Sequence, residues 1–198
     1  MTTISLIVGT TREGRFSDHV ARWVTSWLAA NSDLDIDVLD LRDHPLPFFD
    51  GPPPAYTGRD YPDPAVEALG RRIDQADGYI VLAGEYNHGY PAVLKNAMDH
   101  TFVEWRRKPI SFIGWGNVGG ARAIEQLRQV AVEFEMAPLR HAVHILPDIM
   151  RAHRDQADAT DTEVFESLGP KLSQLVADLT WWACCLANGR AAMPASVP

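Results

Sequence analysis

The stretch Gly9-Thr10-Thr11-Arg12-Glu13-Gly14-Arg15-Phe16-Ser17 separates two segments of different period. Before it, Ile4-Ser5-Leu6-Ile7-Val8 is short, apolar and partly β-branched, and reads as a buried strand. After it, Val20, Trp23, Val24, Trp27 and Leu28 recur at spacings of three and four, one apolar stripe along a helix. A loop from strand to helix turns unpaired backbone N–H groups and the positive end of the helix dipole toward whatever lies in front of it. That is an anion site. Thr10, Thr11, two glycines and the guanidiniums of Arg12 and Arg15 add donors suited to a phosphate monoester.

The spacing from Gly9 to Gly14 matches the glycines of a nucleotide-hydrolysing phosphate loop, but Arg15 and Phe16 stand where that motif has its lysine and its magnesium-binding hydroxyl. On this loop alone, a glycine-rich turn with solvated arginines stays open as the plainer alternative.

Working outward, Asp35-Ile36-Asp37-Val38-Leu39-Asp40-Leu41 alternates apolar and polar residues and suits a strand at a sheet margin. From Asp43 to Pro64 the chain carries seven of its fourteen prolines, which predicts an extended surface loop. Phe48, Phe49, Tyr56 and Tyr61 within it either cover a ligand or partner or pin the loop down. A helix is predicted from Pro64 to Gln75, and Gly78-Tyr79-Ile80-Val81-Leu82-Ala83 is a continuous apolar run, the third strand. A strand buried on both faces belongs in a parallel sheet.

Gly84-Glu85-Tyr86-Asn87-His88-Gly89-Tyr90-Pro91 then leads into Ala92-Val93-Leu94-Lys95-Asn96-Ala97-Met98-Asp99. Two aromatics, an amide and a carboxylate just beyond a strand's carboxyl end can flank a flat heteroaromatic ring; a capped turn before a helix is the structural alternative. Pro109 to Trp115 gives a fourth strand, and Gly116-Asn117-Val118-Gly119-Gly120 a third loop. A helix with Ala123, Ile124, Leu127, Val130 and Ala131 on one face follows. Pro138 to Leu146 is predicted as the fifth strand and Glu163 to Leu186 as the final helix, leaving residues 187–198 as a frayed tail.

Five alternations of strand and helix predict a single α/β domain over residues 1–186: a doubly wound, five-stranded parallel sheet in a three-layer α/β/α sandwich. Ligands bind such sheets beyond the carboxyl ends of the strands, at the switch point, where the loops after strands one, three and four all lie. One of these loops offers phosphate chemistry and two offer ring chemistry, so the expected ligand is a phosphorylated aromatic cofactor, with flavin mononucleotide (FMN) the best fit.

The same residues carry a family resemblance. Gly9-Thr10-Thr11-Arg12 through Ser17, Glu85-Tyr86-Asn87 through Tyr90-Pro91 with Leu94-Lys95-Asn96-Ala97 and Asp99, and Gly116 through Gly120 resemble the NADPH-dependent FMN reductases, a flavodoxin-like group that includes azo-dye, quinone and chromate reductases. The resemblance spans residues 2 to 185 and implies that Thr10, Arg12, Arg15, Phe16 and Ser17 hold the flavin phosphate. Glu85, Tyr86, Asn87 and His88 would border the ring, with Gly116, Asn117, Gly119 and Gly120 approaching its dimethylbenzene or ribityl side. Where the family has Thr-Pro before the Glu-Tyr-Asn triplet this chain has Ala83-Gly84, which is expected to loosen that loop. His88 either touches an acceptor or faces solvent.

Hydride transfer from nicotinamide C4 to flavin N5 requires stacked rings and no obligatory acid or base side chain, so a ping-pong reaction is expected and no catalytic side chain is assigned. The resemblance implies NADPH as donor, with NADH as the other candidate, and a small acceptor: free flavin, a quinone, an azo compound or a metal oxyanion. It also implies a homodimer, to which Trp105-Arg106-Arg107 and the proline-rich loop are expected to contribute, and a monooxygenase that receives reduced flavin is a further candidate partner. The rival reading is a flavodoxin-type electron carrier without NAD(P)H turnover, and Arg12 and Arg15 in the first loop argue against it.

The chain has 198 residues and a net charge of −8, which disfavours nucleic acid and anionic membrane as partners. No apolar run reaches about 18 residues and the first strand begins next to Met1, so a cytoplasmic protein is expected. Adjacent Cys184 and Cys185 are expected to be packed thiols in the last helix. The histidines look scattered, and His141 and His144 would face opposite sides of a strand, so no metal is predicted.

Overall fold

A computed structural model describes residues 2–156 and 158–193. Strand β1 (Thr3–Val8) lies between β2 (Asp35–Asp40) and β3 (Gly78–Gly84), and β3 pairs on its other side with β4 (Pro109–Trp115). The outer position beyond β4 is shared by β5 (Ala137–Pro138) and β6 (Val143–Ile145). Every pairing is parallel, and the order β2-β1-β3-β4-β5 reverses direction between β1 and β3. The doubly wound sheet is therefore as expected, with the alternating β2 segment at its margin.

The expected fifth strand is broken in two. Pro138 brings no N–H to continue the ladder, and the chain loops out before rejoining β4 at Val143. Arg128 donates to the carbonyls of Leu139 and Arg140, and Ser111 Oγ donates to the carbonyl of His141 at 2.5 Å, so the excursion keeps its backbone acceptors satisfied.

Alternate residues of β1, β3 and β4 feed two cores. Ile4, Leu6, Val8, Ile80, Leu82, Ile113 and Trp115 face α1 (Ser17–Asn31) and the last helix, which together supply Val20, Trp23, Val24, Leu28, Leu172, Leu175 and Leu179. On the opposite face Ile7, Tyr79, Val81, Ile110 and Phe112 pack with side chains of α3 (Pro64–Gln75), α4 (Ala92–Asp99) and α5 (Ala121–Glu133). Burial of β3 and β4 along their whole length is what a parallel sheet covered on both faces requires.

The proline-rich segment is extended except for one turn, α2 (Pro54–Thr57). Its attachment is specific. Asn96 accepts from the Phe49 N–H at 2.9 Å and donates to the Pro47 carbonyl at 2.8 Å, while the Phe49 ring meets His100 edge-on. Tyr61 donates to the buried Glu104 carboxylate, which with burial pushes the Tyr61 phenol well above its ordinary pKa. Phe49 and Tyr61 thus pin the loop, and Phe48 and Tyr56 face outward.

After β6 the structure adds a helix that the sequence pattern did not indicate, α6 (Pro147–Asp155), and the start of the expected final helix is a separate short one, α7 (Asp161–Phe165). The final helix, α8, spans Gly169–Ala191. It starts later than expected, because a 3-10 turn at Glu166–Leu168 separates it from α7, and it runs five residues past 186, so the expected tail from 187 is helical at first; residues 194–198 lie outside the described residues. Cys184 and Cys185 are exposed rather than packed, because the buried stripe of α8 passes through Leu172, Leu175, Val176, Leu179 and Ala183 and leaves both thiols off it. Trp105 is buried against Tyr79 and Phe134, and its indole N–H donates to Thr101, so it is not available to a subunit interface. Among the described residues no helix is long and apolar enough to cross a membrane.

Candidate functional site

The first loop leaves β1 at the switch point. Gly9 donates to the Leu82 carbonyl at 3.0 Å, and a Cβ at this position would sit 2.8 Å from that oxygen, so glycine lets the loop start against β3. From Thr10 to Ser17 no backbone N–H makes a well-formed hydrogen bond to the protein among the described residues. This row of free donors runs into the N-terminus of α1. Thr10 and Ser17, both buried, share a hydroxyl–hydroxyl hydrogen bond of 2.6 Å at the base of the loop. Arg12 is exposed on its crest, and among the described residues its guanidinium has no protein partner. A phosphate monoester needs neutral donors in an arc and one fork of positive charge, and this loop supplies both.

Two expected phosphate ligands are placed otherwise. Arg15 is turned inward, where it donates to Asp18 at 2.7 Å, to both oxygens of Asp40 and to the carbonyl of Thr10. With its guanidinium donors on these acceptors it braces the loop from behind and does not face a ligand. Burial alone would raise the Asp40 carboxyl, but the hydrogen bonds from Arg15 and the Arg42 backbone outweigh it and hold Asp40 below its ordinary range. Phe16 packs its ring against Trp115, Phe165 and His153, with centroids 5.9, 5.9 and 5.4 Å away, which leaves its backbone N–H as what it offers a ligand.

The second loop is a hairpin turn. Tyr86 and Gly89 exchange backbone hydrogen bonds of 2.9 and 3.1 Å, with Asn87 and His88 between them at φ of 48° and 73°. Two central residues of positive φ describe a type I′ turn, and asparagine tolerates that conformation better than most residues. Tyr86, Asn87 and His88 are exposed at the rim, and Gln126 donates to the His88 carbonyl at 2.9 Å. Gly84 does not loosen this loop. It is buried in β3, where an added Cβ would lie 2.9 Å from the indole nitrogen of Trp115.

Glu85 is not turned toward a ring. Its carboxylate accepts from Arg122 Nε at 2.6 Å and from the Arg122 backbone N–H at 3.2 Å, which ties the second loop to the first turn of α5. Burial would push this carboxyl up, yet the donors of Arg122 and the N–H of Ala123 hold it below its ordinary range, so it is an anion at neutral pH. We expect Glu85→Gln to keep the fold and to weaken ligand binding a few-fold by freeing Arg122, a difference from the parent that narrows only as the pH falls below the ordinary carboxylate value of 4.5; fluorescence titrations of both chains at about pH 3.5 and at pH 8 measure both effects.

The third loop follows β4. Glu85 donates its N–H to the Trp115 carbonyl at 2.9 Å, and His144 Nδ1 lies 2.9 Å from the Gly119 carbonyl, so both neighbours of the loop are fixed. Gly116, Gly119 and Gly120 all have positive φ, and Asn117 is exposed between them. The structure therefore gathers Thr10, Arg12, Ser17, Tyr86, Asn87, His88, Gly116, Asn117, Gly119 and Gly120 at the carboxyl edge of β1, β3 and β4. Sequence reasoning missed Asn96 as the tether of the proline-rich loop, although its place in the quoted motif was the available signal.

A parallel sheet of order 2-1-3-4-5 with an anion cradle at its β1/β3 switch point defines a flavodoxin-like mononucleotide-binding protein. Over residues 2–148 the sequence matches the model of the NADPH-dependent FMN reductases, and the chain belongs to that family. It is 35% identical over 148 residues to an NAD(P)H-dependent FMN reductase of Schizosaccharomyces pombe, covering 73% of this chain and 74% of that one. It is 33% identical over 133 residues to a quinone reductase of Escherichia coli K12, covering 64% and 67% respectively. The fold is shared with the flavoenzyme NAD(P)H:acceptor oxidoreductase FerB of Paracoccus denitrificans, with a TM-score of 0.71 at 21% identity, covering 92% of this chain and 97% of that one. These relatives are oxidoreductases, and the electron-carrier alternative is not favoured.

Proposed function

We propose that the chain binds FMN with its phosphate in the Thr10–Ser17 cradle and its ring between the Tyr86–Gly89 hairpin and the Gly116–Gly120 loop, and that it reduces a quinone-like acceptor at the expense of NAD(P)H. The observation that carries this reading is the row of backbone N–H groups between Thr10 and Ser17 that make no well-formed hydrogen bond among the described residues, at the β1/β3 switch point and with Arg12 above it. FMN, when bound, would supply the hydride chemistry between nicotinamide and acceptor. The chain's own part is to hold the phosphate, to present one face of the ring beside the exposed Tyr86, and to stay rigid behind the ligand through Arg15 and the Glu85–Arg122 pair. A homodimer is part of the proposal, supported by the exposed Phe48 and Tyr56 on a pinned loop.

The test is an anaerobic absorption spectrum of the purified protein with stoichiometric FMN, before and after NADPH. Prompt bleaching of bound flavin is expected, followed by reoxidation on adding a quinone, with parallel initial-rate lines in a two-substrate series. Absence of flavin binding would overturn the site, and binding without bleaching by NADPH or NADH would overturn the reductase reading. Arg12→Ala should weaken FMN by about 1.5–3 kcal/mol, the value of a hydrogen bond to a charged group, or roughly ten- to a hundredfold. A dissociation constant unchanged by this substitution would place the phosphate elsewhere.

A further inference from the structure

Two histidines that looked scattered in the sequence meet in the fold. His19 on α1, His153 on α6 and Asp161 at the start of α7 converge beside Phe16, in the cavity that Arg12 and Gly14 of the first loop also line. His19 Nδ1 lies 2.9 Å and His153 Nε2 3.2 Å from the same carboxylate oxygen, Asp161 Oδ1. The imidazole centroids are 4.0 Å apart, and one ligand atom from each of the three residues lies within 4.8 Å of the others. A tetrahedral zinc-class ion with bonds of about 2.0–2.1 Å holds neighbouring ligand atoms about 3.3 Å apart, so the trio already has nearly the required spacing.

Three further features fit an ion. Arg22 Nε donates at 2.9 Å to the other oxygen, Asp161 Oδ2, and so turns Oδ1 toward the imidazoles, the outer-shell contact that ligating carboxylates usually have. The side chains are 37, 17 and 15% exposed, sheltered yet reachable from a cavity of about 780 Å³ that leaves room for a fourth ligand. His19 Nδ1 is also 2.7 Å from a terminal nitrogen of Arg22, and one ring nitrogen cannot donate to Asp161 and accept from Arg22 at once. Ligation through Nδ1 removes that conflict once the Arg22 terminal nitrogen turns away from the ring, with Arg22 Nε still on Oδ2.

There is also something for the ion to do. Helix α6 contributes no fully buried side chain and meets the core through the partly buried Ile149 and Met150, so an ion held by His153 would add to a thin attachment. We propose that His19, His153 and Asp161 form a divalent transition-metal site of the zinc class that fastens α6 and α7 to α1 beside the phosphate loop. Two imidazoles and one carboxylate favour zinc and its neighbours over magnesium or calcium. Arg12, Arg22 and Arg154 line the same cavity and repel a dication, which weakens the affinity.

The experiment is calorimetric titration of the full chain, stripped with a chelator and kept in a buffer without phosphate, with Zn²⁺ alone. Cobalt(II) absorption reads the geometry in parallel. Saturable one-to-one binding and visible bands of tetrahedral intensity are expected. His153→Ala and Asp161→Asn should each lower the affinity by about a hundredfold or more, because losing a ligand costs at least what losing an outer-shell contact does. His141→Ala should bind as the parent does. Hydrogen exchange on the unaltered chain makes the test independent of any variant: Zn²⁺ should slow exchange across Pro147–Asp155. No saturable binding up to about 1 mM, binding retained in a His19→Ala/His153→Ala double variant, or exchange in α6 indifferent to Zn²⁺ would each overturn the site. None of these readouts depends on flavin or on turnover, so they stand whether or not the reductase reading does.

Discussion

Replacing Arg15 with methionine is expected to lower the free energy of unfolding at pH 7 by about 3 kcal/mol and to weaken FMN, although the side chain faces away from the proposed phosphate cradle. The guanidinium is 3% exposed and holds Asp18, Asp40 and the Thr10 carbonyl together. Methionine fills much of the volume but leaves the Asp40 carboxylate without its partner. Breaking a buried pair costs about 3–5 kcal/mol, and because Asp40 is 21% exposed, water takes part of that back, which points to the lower end of the range. Lysine should not restore the loss, since an ammonium cannot span two carboxylates and a carbonyl with a planar fork.

The pH dependence of this difference has a definite sign. In the parent chain Asp40 has its folded-state pKa below the ordinary value of 3.8, so its contribution is fully present above that value and is lost as the pH falls through the folded one. In the variant the same carboxyl is buried without Arg15 and is relieved by protonation. The gap between the two unfolding curves should therefore narrow from pH 7 to about pH 3 in urea titrations. A gap constant over that range would mean that the Arg15 side chain acts through packing and not through charge.

The second large effect is at Gly120, the residue before α5. Its φ is 72°, and a Cβ there would lie 2.7 Å from the Trp115 nitrogen and 2.8 Å from the Gly114 carbonyl carbon, all backbone of β4 that has no rotamer to change. Left-handed backbone costs an alanine about 1–2 kcal/mol, and forcing atoms into a filled space about 1–3 kcal/mol more. We expect Gly120→Ala to lose about 3–4 kcal/mol of stability, to displace the Gly116–Gly120 loop and to weaken FMN together with the melting temperature. Val118→Ala, an exposed position of the same loop, should change neither by more than a few tenths of a kcal/mol. A melting temperature preserved in Gly120→Ala would show that the turn between β4 and α5 yields more than its contacts suggest.

These two sites mark where reading the sequence succeeds and where it stops. The glycines of the third loop were legible because glycine in a strand-to-helix turn has few other meanings. Arg15 was legible as a residue that matters but not as to its role, because a guanidinium in a phosphate loop and one clamping two carboxylates look identical in one dimension. The partner of Glu85 was hidden in the same way, since Arg122 lies 37 residues away. Gly84 looked like added freedom, and only the indole of Trp115 against it shows otherwise.

What the sequence determined by itself was local and periodic. It fixed five alternations of strand and helix, the edge position of β2, the double burial of β3 and β4, and the three loops that share one edge, because period two, period 3.6 and glycine-rich turns are imposed within a few residues. The tertiary structure decided which charges pair, which aromatics pin the proline-rich loop, why the fifth strand breaks, and that His19 meets His153 and Asp161 from three helices. Those outcomes depend on side-chain directions across contacts tens to more than a hundred residues apart in the chain, and a donor's partner is set by which acceptor the packed backbone brings within about 3 Å of it.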